Sequence, residues 1–292
     1  MVLILLVFSS IVAAAAEHTN ERLVEEWFAR QRARWWEITL RCDTIILLFT
    51  DSHWADMTAE LMIDLARFGA YDDCIAMWYW LSPNQIVSDY SHLKMPLFID
   101  TRSAIEFANE SSATATSWGS RRYFNKIAQR VPIAKEVLYR IPLLEVGLAI
   151  VDSDIALFRN VFKRMEREAA TLVIQQESIC SSGRTKCVNG GFWRVAGDEE
   201  GAHLLNDVSR TMQDLHIPDQ DAFDIVLSRP RKHRKVVYLD RLKYANGYVY
   251  KNDPAWLRNA AHIVHANWCN GLAEKRALLI NVRGRRPLNR TE

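Results

Sequence analysis

The chain has 292 residues, 49% hydrophobic and 25% charged, with a formal net charge of +2. This length admits one large α/β domain or two small ones, and the composition excludes a disordered chain. The near-neutral charge supplies no global field for a nucleic acid polymer.

Val2 to Ala16 is apolar apart from Ser9 and Ser10 and ends in four alanines. It is shorter than the roughly 20 residues a comfortable spanning helix needs, and it suits a secretory signal with cleavage near Glu17. No Lys or Arg precedes the run, so an uncleaved signal anchor stays open as the alternative. Either version places the protein in the secretory pathway, in the Golgi lumen if anchored and secreted if cleaved. Membrane contact is then expected only through residues 1–16. Residues 17–43 are predicted as an N-terminal helical segment, from the helical spacing of Leu23, Trp27, Phe28, Trp35 and Trp36.

A single domain over 44–280 is the simplest account of the remainder, with a basic tail over 281–292. Thr44 to Phe49 reads as a buried strand ending at Thr50-Asp51, and Thr58 to Phe68 as an amphipathic helix stopped by Gly69. Cys74 to Trp80 and Met95 to Ile99 are further strands. Tyr123 to Leu144 is a long helical stretch with expected breaks at Pro132 and Pro142. It feeds the apolar strand Val146 to Val151. Short strands follow at Thr171 to Gln175, Gly190 to Val195, Val236 to Leu239 and Ile263 to His265, with helices at Val208 to Leu215 and Ala222 to Leu227. Strands alternating with helices predict an α/β sandwich with a mostly parallel central sheet.

Asp152-Ser153-Asp154 directly follows the strand that ends at Val151. Buried strands of open α/β sheets deliver functional residues at their carboxyl ends. Two carboxylates one residue apart repel unless a cation lies between them, and a divalent metal carrying a diphosphate is the usual solution. Four further segments accompany this pair: Gln175-Gln176-Glu177, Asn189-Gly190-Gly191-Phe192-Trp193, Asp219-Gln220-Asp221, and His265-Ala266-Asn267-Trp268 with Gly271 and Lys275 behind it. Asp219 after Pro218 also reads as a helix N-cap, and Asn189-Gly190-Gly191 as a tight turn. Of ten tryptophans most are expected in the core; Trp193 and Trp268, inside the motifs, are candidates to stack on a sugar.

In this order the segments resemble the GT-A-fold nucleotide-diphospho-sugar transferases, within them the retaining plant cell-wall α-xylosyltransferase and arabinosyltransferase group. The resemblance runs from about Tyr123 to Lys275. It implies a GT-A-like, Rossmann-like α/β/α sandwich and an enzyme that moves a sugar from a nucleotide-diphosphate donor, UDP-linked by expectation, to a glycan or glycoprotein acceptor with retention. It also implies a metal, manganese or magnesium, on Asp152, Asp154 and His265; an imidazole ligand favours manganese. Asp219 and Gln220 would lie beside the anomeric carbon as catalytic residues. Thr50, Asp51, Lys135, Ser153, Asn189, Gly271 and Lys275 would contact the donor. Departures from the pattern are Ala156 and Arg159-Asn160, where relatives often carry an aromatic and an Asp-Pro or Asn-Pro step.

Two other classes share part of the signal. A haloacid-dehalogenase-like phosphatase also places D-x-D after a buried strand, but follows it with a small pair where this chain has Ile155-Ala156. A secreted carbohydrate-binding protein or inactive transferase would keep the fold without turnover. Metal-dependent donor hydrolysis separates the transferase from the binder.

Five cysteines suit an oxidising compartment, and Cys180 and Cys187 are spaced for a loop disulfide, with two free thiols as the alternative. Asn109-Glu110-Ser111 and Asn289-Arg290-Thr291 have the form of glycosylation acceptors. The basic clusters 229–235 (less Pro230) and Arg283, Arg285 and Arg286 read as solvated surface, or as an aid to an anionic acceptor or membrane.

Overall fold

A computed structural model describes residues 20–68, 74–80, 95–100, 121–141, 145–177, 186–229, 231–252 and 260–284. The expected targeting stretch, both glycosylation sequons, Cys180, and Arg285 and Arg286 lie outside them. Among the described residues no helix is long and apolar enough to cross a membrane.

Seven strands form the central sheet, in the order β3-β2-β1-β4-β7-β6-β8. They are β1 (Thr44–Asp51), β2 (Ile75–Trp80), β3 (Leu97–Asp100), β4 (Glu145–Val151), β6 (Leu172–Gln176), β7 (Val188–Gly197) and β8 (Val236–Leu239). The pairings are parallel except those of β7, which runs antiparallel to both β4 and β6. The sheet is therefore mostly parallel, as predicted. All eight residues of β1 are buried, the mark of a strand covered on both faces. Because β1, β4 and β6 point the same way, Asp51, Asp152 and Gln175 emerge along one edge.

The helices follow the predicted order with different ends. The N-terminal segment is two helices, α1 (20–30) and α2 (Arg32–Arg41), separated at Gln31. Gln31 leaves the helix to act as a surrogate strand: its amide nitrogen donates to Leu97 O and its Oε1 accepts from Leu97 N at 3.0 Å, closing the start of edge strand β3. Trp27 packs on Trp35 at 4.8 Å and on Trp78 at 5.6 Å, and Trp78 stacks on Phe98 at 4.2 Å, so this tryptophan stripe is core. After α3 (Ala55–Arg67), α4 (Arg121–Arg140) runs straight through Pro132, against expectation. Burial of Val131, Ile133, Ala134 and Val137 around the proline outweighs the lost backbone hydrogen bond. Helix α5 (Phe162–Arg167) was not foreseen, and α6 (Glu199–Leu215) starts nine residues before its predicted helix at Val208. The α6 signal is a cap: Asp198 accepts from Gly201 N at 2.8 Å, and left-handed His216 ends the helix. α7 (Asp219–Leu227) completes this layer, with Pro218 at the N-cap position and Asp219 the first helical residue. Asp219 is thus not the N-cap.

A second sheet, β5-β10-β9, joins β5 (Ile155–Leu157), β9 (Tyr244–Asn246) and β10 (Ile263–His265). It has its own apolar cluster, including Ala156, Ala245, Val264, Leu278 and Leu279, shared with helix α9 (Gly271–Gly284). Register aligns His265 with Ile155, and Ala266 N donates to Asp154 O at 2.8 Å. The small sheet therefore brings residue 265 to the D-x-D turn from far along the chain. Helix α8 (Gly247–Asn252) follows β9.

A disulfide joins Cys42 to Cys74, immediately before the parallel neighbours β1 and β2. It lies at the amino ends of these strands, opposite the Asp51–Asp152 edge. Cys187 is also disulfide-bonded, while Cys269 is free. The Cys42–Cys74 pairing was not foreseen, because spacing in sequence does not reveal strand adjacency. Closing a loop with a separation of 32 residues restricts the unfolded chain. Replacing both cysteines by serine should cost about 2–4 kcal/mol in a denaturant melt. Divalent-metal affinity should stay unchanged, since the bridge is on the far edge.

Candidate metal centre and donor site

Asp152, Asp154 and His265 each offer a ligand atom within 4.8 Å of the others. His265 Nε2 lies 3.3 Å from Asp154 Oδ1 and 3.7 Å from Asp152 Oδ2. The imidazole is buried and its tautomer is set by a second residue. Gln175 Nε2 donates to the carbonyl of Tyr244 at 3.0 Å, so Gln175 Oε1 is the atom facing His265 Nδ1 at 3.0 Å. That oxygen only accepts. Nδ1 therefore carries a proton, and Nε2 is the ring nitrogen that would offer its lone pair to a cation held with the carboxylates. Two hard oxygens and one imidazole nitrogen suit a divalent cation such as manganese.

The two carboxylates differ in charge environment. Burial alone would push Asp154 up, but Lys275 (Nζ to Oδ2, 2.5 Å) and His265 overcome it and hold the group well below the usual carboxylate range. For Asp152 burial wins and its pKa is raised: Arg130 and His265 oppose the rise, Asp154 and Asp219 add to it. Like charges this close are what a bound dication would relieve.

The strand opposite is built around this cluster. A Cβ added at Gly191 would overlap Asp152 Oδ2 and His265 Cε1, and one at Gly190 would meet Asp219 Oδ1 at 3.1 Å. Asn189, Gly190 and Gly191 are residues of β7 and not a turn, and the missing side chain at Gly191 lets the strand lie against Asp152 and His265.

Arg130 on α4 bridges the site. It pairs with Asp152 through one nitrogen and with Asp219 Oδ2 at 2.6 Å through the other. Asp219 Oδ1 accepts from Gln220 N at 2.8 Å, so both its oxygens are occupied. Gln220 is half-buried beside it, its Oε1 3.5 Å from Gly190 N. One helical turn before Arg130, Lys126 pairs with Asp51 and lies 5.6 Å from the Trp80 ring. Neither cation was foreseen as functional, although their four-residue spacing on one helix face was readable. Lys135, the expected donor contact, lies on the opposite face, nine residues from Lys126, and pairs with Glu136 at 3.3 Å. The structure places Lys126 and Arg130 at the strand-end edge and does not bring Lys135 there.

The other expected donor residues divide similarly. Thr50 and Ser153 are held in a buried hydroxyl chain: Thr50 Oγ1 lies 2.7 Å from Thr58 Oγ1, which donates to Ser153 Oγ at 2.8 Å, and Ser153 donates to Phe49 O at 3.2 Å. These side chains pin the D-x-D turn to β1 and α3. Asn189 uses both ends internally, accepting from Gly191 N at 3.0 Å and donating to Glu177 Oε2 at 2.8 Å. Gly271 opens α9 with φ +81°, and no atom crowds the position a Cβ would take. Lys275 touches Asp154 and lies 5.0 Å over the Trp54 ring. Trp193 is buried, donating to Gly190 O at 3.0 Å and packing on Phe223, which removes it as a sugar-stacking residue.

The basic clusters are partly neutralised. Arg231 and Arg234 both pair with Asp207, at 3.0 and 2.9 Å, beside a cavity of about 270 Å³ between α6 and α7. Arg283 pairs with buried Asp64 at 2.8 Å.

Gln175 was named only as part of a motif segment, without a role. Gln175→Leu would leave His265 Nδ1–H without its acceptor, and manganese affinity should fall about 10–100-fold, read by titration with the metal. Asp51 supplies a pH prediction. Burial would raise its pKa, but the His53 side chain, then Lys126 and the His53 N–H (2.8 Å), lower it to about 2. A depressed folded-state pKa contributes stability that is fully present above the unfolded value near 3.8 and is lost as pH falls toward 2. The contribution is about 2 kcal/mol. Acid unfolding followed by circular dichroism should therefore lose a component between pH 4 and 2 that Asp51→Asn lacks.

Fold and site together define a mostly parallel α/β protein with a carboxylate–histidine cluster at its strand ends that could hold a cation. The nucleotide-diphospho-sugar transferase family matches residues 90–279, more than half of the chain, and the chain belongs to that family. Similar solved structures include the galactosyltransferase LgtC in complex with donor and acceptor sugar analogues, 11% identical, covering 82% of this chain and 95% of that one, TM-score 0.46. Mouse xyloside xylosyltransferase 1 is 14% identical, covering 78% and 99%, TM-score 0.44. The glycosyltransferase GlyE of Streptococcus pneumoniae TIGR4 is 11% identical, covering 76% of this chain, TM-score 0.46. The match covers 54% of the GlyE chain, about half its length. No curated protein matches the sequence.

Proposed function

We propose that the protein is a metal-dependent glycosyltransferase that moves a sugar from a nucleotide-diphosphate donor, UDP-linked, to a glycan or glycoprotein acceptor. The observation that carries this reading is the Asp152–Asp154–His265 cluster, with His265 turned by Gln175 so that Nε2 faces the two carboxylates. These three residues would hold the cation, manganese by preference. When bound, it supplies Lewis-acid stabilisation of the charge that develops on the departing diphosphate.

The surrounding residues have assignable roles. Arg130 holds Asp219 and Asp152 together, and Lys275 keeps Asp154 ionised. With both Asp219 oxygens engaged, a covalent double displacement from that carboxylate is disfavoured. A front-face route with retention is favoured, Gln220 orienting the donor and the acceptor hydroxyl arriving on the leaving-group side. Gly271 and Lys275 remain the proposed donor contacts, while Asp51, buried with both oxygens engaged, holds Lys126. Cys42–Cys74 supports passage through the oxidising secretory pathway.

The test is a panel of nucleotide sugars given to the purified protein with and without manganese, reading released nucleoside diphosphate. One donor should be hydrolysed slowly and only with the metal. Phosphate release from simple monoesters, with silence on every nucleotide sugar, would favour the phosphatase class and overturn the proposal.

A further inference from the structure

Trp268, three residues after the metal-cluster histidine, is 47% exposed and has left-handed backbone, φ 60°. Left-handed geometry costs a residue with a Cβ about 1–2 kcal/mol, so something holds it there. Two contacts do. Its indole Nε1 donates to Glu177 Oε1 at 3.0 Å, and its carbonyl accepts from Lys251 Nζ at 2.7 Å. Glu177 is buried and accepts from four side chains: Asn246, Asn189 at 2.8 Å, Asn267 at 3.2 Å and Trp268 itself. These donors come from β7, β9 and the 266–268 turn. Glu177 also lies two residues beyond Gln175, so one strand end orients both His265 and Trp268.

Beside Trp268 is Tyr248 on α8, 38% exposed, its ring 5.6 Å away and tilted by 59°. Asn267 Oδ1 accepts from Gly247 N at 2.9 Å, fixing that helix to the Trp268 turn. Polar groups adjoin the rings: Lys251 donates to Trp268 O and Glu274, Asn252 donates to Tyr248 O at 2.8 Å, and Glu274 accepts from Asn270 N at 2.6 Å.

We propose that Trp268 and Tyr248 form an aromatic platform for a pyranose ring of the acceptor, with Glu177 as the buried positioning residue that locks the indole. This rests on the glycosyltransferase reading and adds the acceptor side to it. The chemistry fits one ligand class. A pyranose has a C–H-rich face that packs on an aromatic ring, and equatorial hydroxyls that need polar partners at the edge. An indole already fixed by a hydrogen bond and by backbone geometry loses little freedom when a sugar binds. The platform adjoins the metal cluster through the 265–268 turn, so a ring stacked there lies next to the transfer site.

The experiment is saturation-transfer NMR on the full protein with magnesium and UDP. The probes are a panel of methyl pyranosides and pyranose disaccharides. At least one sugar should receive saturation through its C–H face. Trp268→Ala should weaken that sugar's binding about tenfold, a difference worth about 1.4 kcal/mol. Trp268→Phe, which keeps a ring but not the Glu177 bond, should recover part of it, and Glu177→Gln should weaken binding with the ring still present. Trp36→Ala, removing a 51% exposed indole on α2, should change nothing. Trp268→Ala and Trp268→Phe lose the same Glu177 bond, so any drop in thermal midpoint should be similar in the two and the binding difference between them reads the ring. No sugar contact in the parent protein, or equal binding by Trp268→Ala, overturns the platform. Failure of the parent protein to bind UDP with metal overturns the underlying reading instead, and is measured separately on the same sample.

Discussion

Asp154→Ala is expected to reduce metal-dependent release of nucleoside diphosphate about a thousandfold, while the protein stays folded. Two effects combine. Asp154 is one of only two carboxylates in the cluster, and a cation that stabilises a leaving diphosphate is worth several kcal/mol. It is also the ligand held most firmly in its charged form, because Lys275 and His265 keep it ionised where burial alone would favour the protonated acid. The substitution does leave Lys275 without its carboxylate. Lys275 is only partly buried, so water can take up the ammonium, and the cost to stability should be modest. Asp154→Asn tests the charge argument separately. It keeps the shape and one oxygen, and it should lose nearly as much activity as alanine. Activity retained within tenfold in either variant would remove Asp154 from the metal set.

Gly191→Ala is expected to disrupt the cation cluster through one added methyl group. The added carbon would occupy the space of Asp152 Oδ2 and His265 Cε1, two of the three residues of the cation cluster. Neither neighbour can retreat freely. Asp152 is tied to Arg130, its backbone N–H donates to Gly191 O at 2.8 Å, and His265 is pinned by Gln175 and by its register with Ile155. Overpacking of this kind costs about 1–3 kcal/mol, and here the strain falls on the ligands. Manganese titration should show affinity reduced at least tenfold, alongside a lowered thermal midpoint. Gly284→Ala is the control, because an added Cβ there meets nothing within 4 Å. Unchanged metal affinity in Gly191→Ala would mean that the cluster does not bind the cation through Asp152 and His265 together.

The sequence made the sheet legible because its strands are buried on both faces and read as apolar runs. Thr44–Asp51, Ile75–Trp80 and Glu145–Val151 are nearly continuous in this way. Their carboxyl ends then located Asp51, Asp152 and Asp154 without further information. The second sheet was partly illegible: each of its strands has three residues, too few for a period, so β5 and β9 were missed and only β10 was seen. What its register does to His265 had to be seen in three dimensions.

Side-chain roles failed in a consistent way. A hydroxyl or amide near a motif looks free to bind substrate, yet Thr50, Ser153 and Asn189 are committed to partners within the protein, Ser153 to one far away in sequence. Lys135 was favoured over Lys126 and Arg130 because the phase of α4 relative to the sheet is not fixed by its own sequence. Trp193 and Trp268 lay in equally suggestive segments. One is core because β7 is buried on both faces from Val188 to Val195, and the other is surface because it sits in the left-handed turn after β10. The Cys42–Cys74 bridge depends on two strands being neighbours, which follows from topology alone.

The central claim is that Asp152, Asp154 and His265 bind a divalent cation together with a nucleoside diphosphate. Calorimetric titration of UDP into the full-length protein, in manganese and again in EDTA, tests this most directly. The account predicts saturable one-to-one binding in manganese that disappears in EDTA and in the Asp154→Ala variant. Binding of equal strength in both buffers, or none in either, would contradict it.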